Sequence, residues 1–473
     1  MMRHRLILAA TLVVAAASAA AAQVTTAPTL GAAPTLHLPP VEHAVLPNGI
    51  TLLVSRNAEV PIVEGRLLID GGARVAGAPS GLPTFAAGAL MEGAGGLTGV
   101  RLAEEIDLLG ASIRAGTSWE AFTISVRAPK RTIDKAMALM ADVALHPNFA
   151  AADVNRLRGL RLAALSAARD RPSTVASRVF MRNVFPAGLP YHNDIGGDSA
   201  SVVHFDSTAV RNLWERVIDP RRATLIITGD VTLAEAQAWA MAHFGQWRSP
   251  AQPIFHAAAG TVAAAPRTAT RVILVDKPDA AQSVILIGAP GVSRNAPDYP
   301  AIELMNTILG GSFSSRLNDL LREQLGYTYG ASSNFSWSPV PGPFIAQAAV
   351  RTNVTDSSLA LFMREFRRIR DSAVTPVELQ RGKNYVVLGA LGDYETAGQV
   401  AGAIASSVIF HRPLATIPPE FARINQLTAA AVQHAAMTWI DPSRLTIVVV
   451  GDLAKIRSGI EKLHLGPIET QVY

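Results

Sequence analysis

The chain alternates between amphipathic stretches of helical period and short, wholly apolar runs. In the amphipathic stretches, apolar residues recur every three or four positions, which predicts helices with one buried face. The short apolar runs predict strands inside a sheet. Helices are predicted over residues 82–92, 101–109, 132–145, 152–168, 174–184, 301–309, 315–325, 357–370, 376–391 and 396–410. Strands are predicted over residues 51–54, 63–69, 121–126, 272–275, 284–287 and 344–350.

One strand–turn–helix pattern occurs twice, at an offset of 222 residues: DPRRATLIITGDV begins at Asp219 and DPSRLTIVVVGDL begins at Asp441. In each copy an apolar run predicts a buried strand, Gly-Asp predicts the turn that leaves it, and a helical pattern follows. Because each copy ends a segment of about 210 residues, the repeat predicts an internal duplication. The predicted fold class is α+β, with two homologous halves in which helices lie on one face of mixed β-sheets.

Changes in composition mark the boundaries of these halves. Residues 249–270 are rich in proline, alanine and small polar residues, which predicts a linker. The predicted N-terminal domain covers residues 41–248, and the predicted C-terminal domain covers residues 271–473. A Pro-rich leader is predicted over residues 23–40.

The first 22 residues have the order of a secretory signal peptide. Arg3 and Arg5 precede an apolar run, and small residues end at Ala22. We expect cleavage before Gln23 and a periplasmic or secreted mature protein, with an uncleaved membrane anchor as the alternative. No later apolar run approaches the roughly 18 residues that a transmembrane helix needs.

Composition narrows the class of protein. With 473 residues, 49% hydrophobic and 17% charged, the chain is long enough for two or more globular domains. The net charge of +5 is spread along the chain without a basic run, which argues against nucleic acid as a partner. The absence of cysteine excludes disulfides, thiolate zinc sites and cysteine nucleophiles.

Sequence motifs of known catalytic centres are missing. None of the 11 histidines is within five residues of another, and neither H-E-x-x-H nor H-x-x-E-H occurs. There is no G-x-S-x-G nucleophile motif and no Walker loop. A metal site assembled from distant histidines stays open.

The stretch ILGGSFSSRLNDLLREQLGYTYG, from Ile308 to Gly330, contains an unusual arginine and tyrosine. Arg316 lies in the first turn of a predicted helix, where the helix dipole slightly disfavours a cation. Gly326 is placed as the C-terminal cap, and Tyr329 follows it. Taken alone, Arg316 could pair with Asp319 on a solvated face, and Tyr329 could be a core aromatic. Tyr327 would point to the opposite face of an extended segment from Tyr329.

This stretch closely resembles the C-terminal-half signature of the pitrilysin/insulinase family of zinc peptidases. The resemblance covers about residues 41 to 460 and includes the two Gly-Asp strand ends. It implies the clamshell-half fold of that family, and we expect each half to contain two related sheet-and-helix units.

The family carries its zinc ligands as H-x-x-E-H, and the matching segment here is GLPTFAAGALMEG, residues 81–93. Thr84 stands at the first histidine position, Ala87 at the glutamate and Gly88 at the second histidine. The helix that corresponds to the family's third ligand contains no glutamate. Alanine and glycine can neither bind a metal nor accept a proton, so we expect no metal, no cofactor and no catalytic residue in this chain.

Some members of the family work as pairs of related chains, in which a partner without H-x-x-E-H supplies an arginine and a tyrosine. By resemblance these substrate-binding residues are Arg316 and Tyr329. The chain is then expected to be inactive alone, as the substrate-binding subunit of a heterodimeric zinc endopeptidase that acts on peptides in the periplasm. The partner would carry H-x-x-E-H and the zinc.

Two alternatives remain open at this point. One is a catalytically silent structural or assembly protein of the same fold. The other is a stand-alone hydrolase with an unrecognised site.

Overall fold

The computed structural model describes residue 36, residues 38–250 and residues 268–473. The predicted signal peptide, most of the leader and most of the linker lie outside the described residues. Residues His37–Tyr473 belong to one compact unit.

The first half is built on one six-stranded sheet, and two further short strands form a separate pair. The strands of the sheet are β1 (Glu42–Val45), β2 (Thr51–Arg56), β3 (Ile62–Asp70), β6 (Ser112–Thr117), β7 (Ala121–Pro129) and β8 (Ala223–Gly229), and the separate pair is β4 (Gly93–Ala94) with β5 (Leu97–Thr98). The strand order in the sheet is β1-β2-β8-β3-β7-β6, with β2 parallel to β8 and the other neighbours antiparallel.

The second half repeats this arrangement around its own six-stranded sheet. The strands are β9 (Arg271–Asp276), β10 (Gln282–Pro290), β11 (Thr328–Phe335), β12 (Pro343–Arg351), β13 (Thr446–Gly451) and β14 (Ile468–Thr470). Their order in the sheet is β14-β9-β13-β10-β12-β11, and β13 is parallel to β9, as β8 is to β2. The outer strand β14 is the last strand of its half in sequence, whereas β1 is the first strand of its half.

The helices follow the same order in both halves. The first half contains α1 (Leu82–Ala89), α2 (Gly99–Leu108), α3 (Ile133–Leu145), α4 (Ala151–Ala168), α5 (Pro172–Val184), α6 (Ser199–Val202), α7 (Ser207–Val217) and α8 (Leu233–Phe244). The second half contains α9 (Tyr299–Asn306), α10 (Arg316–Asn318), α11 (Thr355–Asp371), α12 (Pro376–Gly389), α13 (Ala397–Ile409), α14 (Ile417–Gln426), α15 (Ala429–Trp439) and α16 (Leu453–Glu461).

The two halves interlock by exchanging one helix each. Helix α5 of the first half packs on β10 and β13 of the second, where Phe180 is fully buried. Helix α13 of the second half packs on β3 and β8 of the first, where Ile404 is 1% exposed. Each sheet therefore has apolar side chains on both faces, which explains the unbroken apolar runs of β8 and β13.

The structure confirms the α+β class and the two-half arrangement, and it corrects two details. Helices do not lie on one face only, because α5 and α13 cover the other face of each sheet. Each half holds a single six-stranded sheet, so the expectation of two sheet-and-helix units in each half is wrong. The edge strands β6 and β11 and the helices α7 and α15 were not predicted, whereas α8 and α16 follow the two copies of the repeat as predicted. Of the helices in the described ranges, no single one is long and apolar enough to cross a membrane, although the bent pair Ala397–Ile409 and Leu414–Gln426 passes that test together.

Candidate functional site

The segment from Arg316 to Gln324 forms one short, irregular helix. The turn α10 continues into a π-helical turn, Asp319–Gln324. Leu317 and Leu321 are fully buried and anchor it to the core of the second half. Gly326 adopts a left-handed φ of 60°, as expected of a helix C-terminal glycine.

The strand β11 that follows begins with a bulge at Tyr329. The pairing of β11 with β12 shifts between Thr328 and Ala331, so Tyr329 and Gly330 are outside the regular ladder. Asn318 joins strand and helix, because its Oδ1 accepts a hydrogen bond from Ala331 N at 3.2 Å. Arg316 and Tyr329 are thus held by one rigid helix–strand connection.

Tyr327, just before β11, and Tyr329 point to different environments, in line with the predicted opposite faces. Tyr329 is 92% exposed, and its hydroxyl has no hydrogen-bond partner among the described residues. Tyr327 is partly buried against the core of the second half. A phenol on a constrained bulge can donate a hydrogen bond to a ligand at little cost in side-chain entropy.

Arg316 is buried and forms an ion pair that the sequence did not predict. Its Nε donates to Glu378 Oε1 at 2.7 Å, and its Nη2 donates to Glu378 Oε2 at 3.0 Å. The two side chains are 5% and 13% exposed. The alternative pair with Asp319 does not form, since Asp319 Oδ2 accepts from Gln324 Nε2 at 2.7 Å instead.

Glu378 belongs to the N-terminal cap of α12. Thr375 is the N-cap residue, and the two residues exchange hydrogen bonds as a capping box. Burial raises the pKa of Glu378, but the hydrogen bonds from Arg316 and Thr375 outweigh this and hold its pKa at about 2. The only sequence signal for Glu378 is the capping-box pattern Thr-Pro-Val-Glu, which gives no hint of a partner 62 residues away.

One guanidinium nitrogen of Arg316 is left without a partner. Nη1 is buried and has no hydrogen bond within the described part of the chain, and the same holds for the neighbouring Ser315 Oγ. A buried donor without a partner is costly, so such a group usually serves a ligand or a water molecule. Two apolar side chains near Arg316 and Glu378 in sequence are exposed: Phe313 is 67% exposed, with the guanidinium of Arg322 4.4 Å from its ring centre, and Val377 is 73% exposed.

The positions that correspond to the family's zinc ligands lie in the first half, on α1. Thr84 Oγ1 donates to the backbone oxygen of Ile195 at 2.7 Å, so its hydroxyl is already used. Ala87 is 1% exposed and packs in the core of the first half. Gly88 is exposed, with open space where a side chain would be.

An arginine borders the same place. Thr84, Gly88 and Arg161 line one cavity of about 320 Å³. Arg161 Nε donates to Gly196 O at 3.1 Å, and its Nη2 lies 3.7 Å from Asp194 Oδ1. The positive charge of this guanidinium would repel a divalent cation bound in the cavity. Within residues 38–250 and 268–473, no group of three or more His, Asp or Glu residues could hold a metal ion. The residues present do not fit zinc.

Comparison with known proteins points to one family over most of the chain. Residues 52–189 match the family model described as insulinase (peptidase family M16). Residues 204–386, which include Arg316 and Tyr329, match the model described as peptidase M16 inactive domain. Together the two models cover more than half of the chain.

Individual relatives agree with this match. A Mycobacterium leprae protein described as an uncharacterized zinc protease is 24% identical, over 89% of this chain and 94% of its own length. A Helicobacter pylori protein described as a non-peptidase homolog is 21% identical, over 65% of this chain and 69% of its own length. The crystal structure of a peptidase M16 inactive domain from Pseudomonas fluorescens has a TM-score of 0.78 at 22% identity, covering 87% of this chain and 98% of that one.

Proposed function

The chain belongs to the insulinase family of M16 peptidases, and from that premise we propose that it is the substrate-binding subunit of a two-chain zinc endopeptidase. It is itself a non-catalytic M16-like protein. In this proposal a related chain carrying H-x-x-E-H supplies the zinc, the glutamate base and the attacking water. The complex would act on peptides in the periplasm, where the predicted signal peptide would deliver this chain.

One observation carries the proposal. Two hydrogen-bond donors on a rigid scaffold are free for a ligand: the Tyr329 hydroxyl, on a side chain that is 92% exposed, and the buried Arg316 Nη1. Both donate to oxygen, as is needed to hold the backbone carbonyl of a peptide and to stabilise a developing oxyanion. The first half, by contrast, offers neither a metal ligand set nor a base at Thr84, Ala87 and Gly88.

The first test is to identify the partner. The tagged mature protein is recovered from its own periplasm, and the bound chains are identified by mass spectrometry. We expect a relative of similar size that carries H-x-x-E-H. Recovery of the bait alone, or of unrelated envelope proteins only, would favour a structural or assembly role instead.

The second test uses the recovered complex. Tyr329→Phe removes only the exposed hydroxyl, and we expect peptide turnover to fall by about tenfold or more, since one oxyanion donor is typically worth that much. Tyr327→Phe is the matched control, because Tyr327 is two residues away and packs against the core of the second half. Equal turnover by both variants would contradict the assigned role of Tyr329.

The role of Arg316 is tested with a variant that does not leave the Glu378 carboxylate buried without its counterion. The double variant Arg316→Met/Glu378→Gln removes both charges and keeps the packing volume, so the complex should still assemble. We expect it to slow peptide turnover strongly. Unchanged turnover in an intact complex would rule out Arg316 as a substrate-binding residue.

A further inference from the structure

The Glu378 carboxylate belongs both to the ion pair with Arg316 and to the N-terminal cap of α12. Its Oε1 accepts from Arg316 Nε, while its Oε2 accepts from Arg316 Nη2 and from the backbone nitrogen and hydroxyl of Thr375, at distances between 2.7 and 3.0 Å. The carboxylate therefore fixes the guanidinium plane against the first turn of α12. A bidentate arginine–carboxylate pair of this kind fixes orientation as well as distance.

The negative charge of the Glu378 carboxylate offsets the positive charge of the guanidinium that it contacts. Although burial raises the pKa of Glu378, the donors around it keep its pKa at about 2. The positive charge of Arg316 is thus matched by a carboxylate within the same buried site. The guanidinium still offers Nη1, which has no partner within the described residues.

This charge balance determines which ligand oxygen suits Arg316. A ligand carboxylate would meet no net positive charge, and the buried Glu378 would repel it. A neutral carbonyl oxygen can accept the Nη1 hydrogen bond without bringing a second charge into the site. The exposed apolar side chain of Val377, next to Glu378 in sequence, also favours an uncharged ligand segment.

We propose that Glu378 is a positioning residue that orients and neutralises Arg316, so that the site takes the neutral backbone carbonyl of an internal peptide segment and disfavours carboxylates. The ligand class in this inference rests on the proposed function. The positioning of Arg316 by Glu378 can be tested independently of any peptide.

The first measurement follows the Arg316 Nε–Hε resonance by NMR in the full mature chain, assigned by its absence in Arg316→Lys. Glu378→Gln removes the charge but can keep the capping box, because glutamine also serves at that position. Thr375→Ala is the matched control, since it weakens the cap and leaves both contacts with Arg316. We expect a shifted, exchange-protected resonance in the wild type and in Thr375→Ala, and loss of protection in Glu378→Gln. Equal spectra for the wild type and Glu378→Gln would overturn the positioning role.

The second measurement tests the ligand class with the same variants. A fluorescent 12-residue peptide blocked at both ends is compared with versions in which one neutral residue at a time is changed to Asp. We expect the wild type and Thr375→Ala to bind the neutral peptide better than at least one acidic version. In Glu378→Gln, at least one acidic version should gain about tenfold or more in affinity relative to the neutral peptide, because Arg316 is then uncompensated.

These outcomes distinguish failure of the proposed function from failure of the positioning role or of the ligand class. A protected Arg316 resonance with no peptide binding by the wild type or by its complex would refute the proposed function and still support the positioning role. Peptide binding with an unchanged acidic-to-neutral ratio in Glu378→Gln would overturn the proposed ligand class and leave the substrate-binding function standing.

Discussion

Replacing Glu378 with glutamine should remove a pH-dependent part of the stability of the folded chain. Glutamine has nearly the same volume as glutamate, and it can still accept a hydrogen bond from the Thr375 backbone nitrogen as part of the capping box. The substitution therefore isolates the charge that is paired with Arg316. Arg316 itself is 7% exposed and would be left as a buried charge without a counterion.

The size of the effect follows from the pKa of Glu378. In the folded chain this pKa lies at about 2, against an ordinary value of 4.5. At 1.36 kcal/mol per pH unit this difference corresponds to about 3–4 kcal/mol. Solvent screening reduces it, so we expect the ionised carboxylate to contribute about 2–3 kcal/mol to the free energy of unfolding at neutral pH. Because the pKa is lowered on folding, the contribution is complete above the unfolded value and is lost as the pH falls toward 2.

Urea unfolding followed by tryptophan fluorescence measures this directly. The wild type, Glu378→Gln and Thr375→Ala are compared at pH 7, 5.5 and 3.5. We expect the wild type to exceed Glu378→Gln by about 2–3 kcal/mol at pH 7, and this gap should shrink by about 1 kcal/mol between pH 5.5 and 3.5. Thr375→Ala should cost about 1 kcal/mol, with a much weaker dependence on pH.

Two results would refute this reasoning. A gap between the wild type and Glu378→Gln that stays constant with pH would mean that the carboxylate is not preferentially ionised in the folded chain. No gap at pH 7 would mean that the ion pair with Arg316 contributes nothing to folding.

Three further predictions concern other contacts. Gly310→Ala should destabilise the chain by about 2–3 kcal/mol in urea unfolding. Gly310 lies in the π-helical turn Thr307–Gly311 that follows α9, and an added Cβ would lie 2.4 Å from Ser333 N of β11. Glu303→Gln should raise stability at pH 7 by about 1 kcal/mol and lose this advantage in acid, since burial raises the pKa of Glu303 and the amide oxygen can still accept from Trp337. Arg161→Ala should speed hydrogen exchange in residues 193–198 and cost about 1 kcal/mol, because it removes the hydrogen bond to that loop.

Each of these changes has a control or a contrary result. Gly389→Ala adds a methyl group where nothing lies within 4 Å, so it should be neutral or slightly stabilising. Arg156→Ala removes an ion pair of a side chain that is 53% exposed, and it should change stability and loop exchange very little. A stability curve of Glu303→Gln parallel to that of the wild type at every pH would contradict the raised pKa.

Much of the fold could be predicted because its central elements have strong local patterns. The runs in β8 and β13 are apolar at successive positions, which is typical of strands covered on both faces. Strand β6 was missed because only Ile113 is buried in it and its edge position requires no apolar run. The exchange of α5 and α13 could not be predicted, because a helical pattern shows which face is apolar and not which sheet covers it.

The candidate site was predictable only in part, for a similar reason. The segment from Arg316 to Tyr329 is local in sequence, so its helix and its glycine cap follow from the pattern. The exposure of Tyr329 does not follow from it, because a core aromatic fitted the same pattern. Glu378 was not predicted, because an ion pair between two helices depends on how they pack. Arg161 was missed likewise, since the sequence shows an arginine on a helix and not the loop that it contacts.

Stability alone gives little reason for the arrangement around Arg316. Burying an ion pair costs desolvation of both ions, and apolar residues of similar volume are often as stable or more so. The pair also leaves Nη1 without a partner, which adds to that cost. Beside it, Tyr329 is 92% exposed on a bulge and contributes little to the core. In the first half, by contrast, Thr84 and Arg161 have polar partners in the neighbouring loop, as expected where no ligand is bound. At the former metal positions the polar side chains thus have partners, whereas Arg316 Nη1 is buried without one among the described residues. This contrast supports a ligand role for Arg316 and Tyr329 and a structural one for the former metal positions.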